Sequence, residues 1–165
     1  IKLPDDLTGK TALDLGGWNG WAAQLCLMKG ASQAICVDNG EWKLYGDDWG
    51  TGSDRPGVRY TDMDLMDWHE PADLVICSNV IYHSKDPHAM LRHLRKLTHW
   101  LLILRTSHTG TEGWKSYPNG SGHPNGTVWY RPSPAGLTEG LKEAGFVDIV
   151  EQGRDEGDHI VVEAR

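Results

Sequence analysis

The run QAICVD, residues 33 to 38, is apolar without alternating, and this property restricts the fold more than any other in the chain. A strand with one wet face alternates, whereas a strand apolar throughout is buried on both faces, as in a parallel sheet covered by helices. The segments around it suit that setting. TALDL (11–15) is a short apolar strand, followed from Trp18 to Lys29 by helix-compatible spacing that stops at Gly30. VRYTDMD (58–64), ADLVICSN (72–79) and WLLILRTS (100–107) read as the third, fourth and fifth strands. Before the fifth, PHAMLRHLRKLT (87–98) has the i, i+3, i+4, i+7 spacing of an amphipathic helix through Met90, Leu91, Leu94 and Leu97, with Pro87 in its first turn. SPAGLTEGLKEAGF (133–146) predicts another helix, with Ser133 as N-cap, Pro134 at the first position and Gly145 past the end. VDIVEQ and HIVVEAR, joined through GRDEGD, form an antiparallel hairpin.

Strands alternating with helices, then a terminal hairpin, imply one domain over residues 1–165: an open, doubly wound, mostly parallel α/β sheet with an antiparallel edge. Two stretches stay outside that pattern. Residues 39–57 hold five glycines and no sustained apolar stripe, so they read as mostly loop. Residues 108–127, rich in Gly, Pro, Asn and Ser, are longer than the usual connection and read as a lid or binding loop.

The formal charge of -7 gives an average surface that repels phosphate, which disfavours a broad grip on nucleic acid. Cys26, Cys36 and Cys77 lie within apolar runs and form no CxxC pair, which argues against a disulfide framework and a thiolate metal site. A reducing cytoplasm fits them. No apolar stretch approaches the ~20 residues of a membrane span, and the first residues lack a signal-peptide core. A start at Ile1 in place of Met suggests an upstream piece.

Ligands of such sheets sit at the carboxyl ends of the strands. There the chain places Asp14, Gly16, Gly17, Trp18 and Gly20, then Asp38 and Asn39, then Asp64 and Leu65, then Asn79. The glycines permit a tight turn and close ligand approach, yet GGWNG does not satisfy G-x-G-x-x-G, and a carboxylate at Asp14 repels phosphate while attracting a cation. That weakens a nicotinamide oxidoreductase reading. S-adenosylmethionine suits the pattern: it is cationic at the methionyl end, carries vicinal ribose hydroxyls and has no phosphate. Asp14 and the turn would serve the methionyl end, Asp38 the ribose, and Asp64 with Leu65 the adenine; Asp62 rivals Asp64 for that place. Asn79 is a candidate for the cofactor's carboxylate or for substrate.

LDLGGWNGWAAQLCLMKGASQAICVDNGEW resembles the first motif of class I S-adenosylmethionine-dependent methyltransferases, in particular the branch of the tRNA wobble-uridine 5-oxyacetate methyltransferases. DLVICSNVIYHSKDPHAMLRHLRKL and NGTVWYRPSPAGLTEGLKEAGF are similar to later stretches of the same branch, with WLLILRTS at the expected place between them. Asn19 stands where that branch usually has an acid. The resemblance implies a seven-stranded, Rossmann-like sheet and a methyl transfer bordered by Tyr82 and His83. His83 would be a base and Tyr82 a positioning hydroxyl; a packed aromatic and a cap before the helix are the alternatives.

The remaining signals are blander. His83, His88, His93 and His99 do not share a helix face, so no metal is expected and they read as solvated surface. Trp18, Trp21 and Trp42 are candidates to wall the cofactor, Trp49, Trp68 and Trp100 to pack, and Trp114 and Trp129 to touch substrate. Arg131, beside Trp129 and Tyr130, is an anion-contact candidate, ahead of Arg92, Arg95 and Lys96 on the polar side of their helix. The acidic balance favours a small-molecule acceptor over tRNA. The loop at 108–127, a second copy of the chain or the acceptor itself would complete the site. A cofactor-binding protein without transfer is the alternative function.

Overall fold

The computed structural model describes residues 1–40, 55–122, 126–155 and 158–165. Its centre is four parallel strands: β1 (Thr11–Leu15), β2 (Gln33–Asp38), β4 (Ala72–Ser78) and β5 (Thr98–Ser107). β3 (Val58–Asp62) adds a parallel edge beside β2, and the hairpin β8 (Val150–Asp155) and β9 (His159–Ala164) continues the sheet antiparallel beyond β5. The order is β3-β2-β1-β4-β5-β9-β8, so the seven-stranded sheet and its antiparallel end stand as expected.

Why the central strands do not alternate is visible in what covers them. Leu13, Leu15, Val37, Val75, Leu102 and Leu104 face one layer, built by α2 (Pro87–Leu97) and α3 (Pro134–Glu143) through Met90, Leu91, Leu94, Leu97, Leu137 and Leu141. Ala12, Ala34, Cys36, Leu74, Ile76 and Ile103 face the other, where α1 (Trp21–Met28) contributes Ala23 and Cys26, and Leu3 and Leu7 of the N-terminal segment complete the cover. Both faces are dry, so both residue sets must be apolar. The small side chains Ala12, Ala34 and Ala23 suit an eight-residue helix that buries little of itself and leaves Trp21 and Met28 exposed.

Helix ends follow the expected chemistry. Asp86 caps α2 through Ala89 N–H at 2.8 Å, and Ser133 caps α3 through Gly136 N–H at 3.0 Å, each ahead of a proline at the first position. Several expectations shift: β8 is Val150–Asp155, taking in part of the expected GRDEGD turn, and β5 starts two residues early at Thr98. The first helix starts at Trp21, not Trp18, because Gly20 stands in the left-handed region at its N-cap. β3 stops at Asp62, two residues early. The 108–127 segment is not only loop: Trp114–Ser116 forms β6, paired antiparallel with β7 (Tyr130–Pro132), and a 3₁₀ turn spans Pro118–Gly120. Trp42, Trp49 and most of the 39–57 loop lie outside the described residues. No described helix is long and apolar enough to cross a membrane.

Candidate functional site at the carboxyl edge of the sheet

The turn after β1 is held from three sides. Gly16 N–H donates to Val37 O at 2.8 Å, keeping the turn on β2, and Gly16 lies in the left-handed region with no room for a side chain: a Cβ would stand 2.3 Å from Val80 Cγ2. A Cβ at Gly17 would stand 2.4 Å from the Asp14 carboxyl carbon and 2.8 Å from Cys36 Sγ. The third hold comes from β3 and the residues before it. Tyr60 Oη and Arg55 Nε both donate to Asn19 O, at 3.0 and 2.7 Å, and the Arg55 guanidinium lies 4.9 Å from the Trp21 ring centre. Sequence reasoning missed Tyr60 and Arg55, since nothing local ties residues 36 to 41 positions away to a glycine turn. Asn19 uses its side chain to accept Trp21 N–H at 3.2 Å, a helix-start role.

Asp14 is 3% exposed. Its carboxylate accepts Ala23 N–H at 3.3 Å from beneath the turn. Burial pushes its pKa up to about 7, against the pull of that hydrogen bond and with help from the nearby Asp38 charge. Asp14 thus underlies the Gly16–Gly17 backbone instead of projecting past it. Asp38 ends β2 and reaches across: Oδ2 accepts Trp18 N–H at 2.9 Å and Oδ1 accepts Gly40 N–H at 3.1 Å. Each oxygen keeps a further lone pair for a ligand hydroxyl. Asn39 is exposed beside it.

Asp62, in register with Asp38, ends the neighbouring strand. Asp64 is not a strand end; its Oδ1 caps the 3₁₀ turn Leu65–Asp67 by accepting Met66 N–H at 2.8 Å. Leu65 is brought to the turn, its Cδ1 3.4 Å from where a Gly16 Cβ would stand. It is fastened from behind by His93, whose Nε2 lies 3.0 Å from Leu65 O. His93 is buried, so the expectation of a solvated histidine there is corrected: it sits on the apolar face of α2, where burial lowers its pKa despite the hydrogen bond to Leu65.

Beyond β4 the chain turns through Asn79, itself left-handed at φ 61. Its amide oxygen accepts Arg105 Nη1 at 2.5 Å and its N–H donates to Arg105 O at 2.8 Å, so Asn79 is engaged with the end of β5. Tyr82 and His83 occupy the 3₁₀ turn Ile81–His83. Burial raises the Tyr82 pKa, opposed by the charges of Arg105 and Arg131. His83 is exposed, with Nδ1 2.7 Å from Thr127 O. A carbonyl only accepts, so Nδ1 carries a proton. Trp129 N–H donates to Tyr82 O at 2.8 Å, fastening the β6–β7 flap over this turn. Trp68 is buried, while Trp114 donates its indole N–H to Gly136 O at 3.0 Å and packs against the core. Among the described residues no group of three or more His, Cys, Asp or Glu is arranged to hold a metal ion. The three thiols are buried, free and held well above their usual pKa by burial, hence unreactive.

A seven-stranded sheet in this order, with acids and a glycine turn at the ends of β1 and β2, defines a nucleoside-binding α/β protein of the Rossmann-like kind. Residues 2–152 match a family model described as a methyltransferase domain, and the chain belongs to that family, the class I S-adenosylmethionine-dependent methyltransferases its motifs resemble. A tRNA U34 carboxymethyltransferase of Pseudomonas putida is 30% identical over 162 residues, covering 87% of this chain and 48% of that protein. The chain spans about half the length of the curated relatives it matches. An S-adenosylmethionine-dependent methyltransferase structure from Mesorhizobium loti overlays with a TM-score of 0.71 at 19% identity, covering 99% of this chain and 93% of that one. The Burkholderia thailandensis 1,6-didemethyltoxoflavin-N1-methyltransferase, solved with bound 1,6-didemethyltoxoflavin and S-adenosylhomocysteine, overlays with a TM-score of 0.68 at 17% identity, covering 96% of this chain and 71% of that one.

Proposed function

We propose that this chain binds S-adenosylmethionine across the carboxyl edge of β1 and β2 and transfers its methyl group to an acceptor held over β4 and β5. The observation that carries the reading is the junction of Asp38 with the Gly16–Trp18 turn: a carboxylate with spare lone pairs bonded to Trp18 N–H, next to two consecutive glycines packed too tightly for side chains. Asp38 would take the ribose hydroxyls, the Gly16 to Gly20 backbone the methionyl end, and Leu65 the adenine face, with Asp62 or Asp64 accepting from its amino group. Asn39 and Asn79 flank that path. When bound, the cofactor supplies a methyl group on a sulfonium that leaves as a neutral thioether, so the protein's task is alignment and exclusion of water. Tyr82 orients the acceptor, and His83 removes a proton where the nucleophile carries one.

A small-molecule acceptor is favoured over tRNA. The net charge of -7 supports this, since a surface of that sign repels a polyanion. The buried reduced thiols accord with a cytoplasmic setting. Calorimetric titration of the chain with S-adenosylmethionine and S-adenosylhomocysteine tests the reading. Binding of either is expected, weakened at least ten-fold by Asp38→Ala, and acceptor-dependent release of S-adenosylhomocysteine is expected to fall in His83→Gln. No binding of either nucleoside sinks the proposal, and binding without any acceptor-dependent release reduces it to a cofactor-binding protein.

A further inference from the structure

The two halves of the sheet edge carry opposite charge. Asp38, Asp62 and Asp64 lie at the ends of β2 and β3 and just past them, whereas Lys85, Arg105, Lys115 and Arg131 gather around β4, β5 and the flap. In a chain of net charge -7 that reversal is a local feature. Arg131 on β7 stands in register with Lys115 on β6, two like charges directly across a strand pair, an arrangement that costs energy without a counter-charge. The Arg131 guanidinium lies 5.5 Å from the Tyr117 ring centre and donates through Nη2 to Gly122 O at 2.9 Å, while its buried Nε has no hydrogen-bond partner among the described residues. Lys115 rests against Tyr117 and Lys85 against Trp129, each 5.1 Å from the ring centre. None of Arg131, Lys115 and Lys85 pairs with a carboxylate among the described residues. A partly desolvated cation without a counter-charge is costly, and an anionic ligand would supply what the described residues do not. The group would lie beside Tyr82, which the flap's Trp129 N–H holds in place.

We propose that the acceptor carries a carboxylate or phosphate received by the Arg131 guanidinium, on the flap side of Tyr82, with Lys115 and Arg105 adding to the field. The identity of this group as part of an acceptor rests on the methyl-transfer reading; the anion site itself does not. Protein-detected NMR on the full chain, with and without S-adenosylhomocysteine, would follow Arg131 Nε–H and the Trp129 indole N–H during titration with benzoate, phenyl phosphate, neutral benzamide and a uridine oligonucleotide. Benzoate or phenyl phosphate is expected to bind at least ten-fold more tightly than benzamide and to weaken with added salt. Arg131→Gln should erase the preference, Arg131→Lys should keep part of it, and both should leave S-adenosylhomocysteine affinity unchanged. Lys115→Gln, on an exposed strand, tests the same field should Arg131→Gln fail to fold. Equal affinity for charged and neutral probes overturns the proposal, as does a response only to a uridine oligonucleotide, which would indicate a polyanion surface. An anion preference that persists while S-adenosylhomocysteine does not bind overturns the methyl-transfer reading and leaves the anion site standing.

Discussion

Asp14 shows how one side chain ties stability to the site. In the fold its carboxyl stays protonated up to about pH 7, whereas in the unfolded chain it ionises near 3.8. Between those values the folded state holds the extra proton, so this residue's contribution to stability declines as pH rises from about 4 to about 7 and stays low above. Asp14→Asn keeps an acceptor for Ala23 N–H and cannot ionise. It is expected to exceed the wild type at pH 8 by up to about 4 kcal/mol, with the gap nearly closed at pH 4; urea midpoints at the two pH values measure this, and a constant gap contradicts it. A cation bound above Gly17 favours the ionised form, so ligand binding near pH 6 should release protons, visible as a calorimetric heat that changes with buffer. Gly17→Ala should cost roughly 1–3 kcal/mol, because its methyl group meets the Asp14 carboxyl and Cys36 Sγ in a packed interior. The clustering of Asp14, Gly16, Gly17 and Asp38 was legible in the sequence because each sits at a strand end. The protonation of Asp14 was not, since it depends on Ala23 and on burial, neither of which a motif records.

Elements meet in this protein through a few backbone contacts, and α3 with the flap is the clearest case. Ser133 Oγ accepts Gly136 N–H inside the helix and Gly113 N–H from the flap, at 3.0 and 3.1 Å, and is buried. A Cβ at Gly136 would stand 2.7 Å from Gly113 O, so the helix bears a glycine where the flap approaches. Ser133→Ala removes the acceptor for both donors and is expected to lower stability by about 1–2 kcal/mol. It should also speed hydrogen exchange at Gly113 more than at Ile76; equal acceleration at both amides would mean a global effect and not loosening of the flap. The cap at Ser133 followed from Ser-Pro before a periodic run. Its second duty to Gly113 did not, because polar sequence between residues 108 and 127 says that a segment is not core without saying what it docks against.

At the scale of the whole molecule, the sheet grades from a dry centre to wet edges. β1, β4 and β5 are covered on both faces, while the residues of β3 are half-buried or exposed and Glu151 to Arg154 of β8 are exposed. Native-state hydrogen exchange is therefore expected to be slowest in β4 and β5, at Ile76 and Leu102, and faster by orders of magnitude in β3 and β8. Uniform protection across all seven strands would contradict the gradient. What the amino-acid order determined unaided was the burial of each segment: unbroken apolar runs set β1 and β2 to the residue, and proline and cap chemistry set the starts of α2 and α3. Only the tertiary structure decided who meets whom, bringing Tyr60 to Asn19, His93 to Leu65 and Arg131 to the neighbourhood of Tyr82. The physical reason is that periodicity reports whether a side chain leaves water, a property of the segment alone. A contact between residues tens of positions apart is chosen by the packing of every element between them.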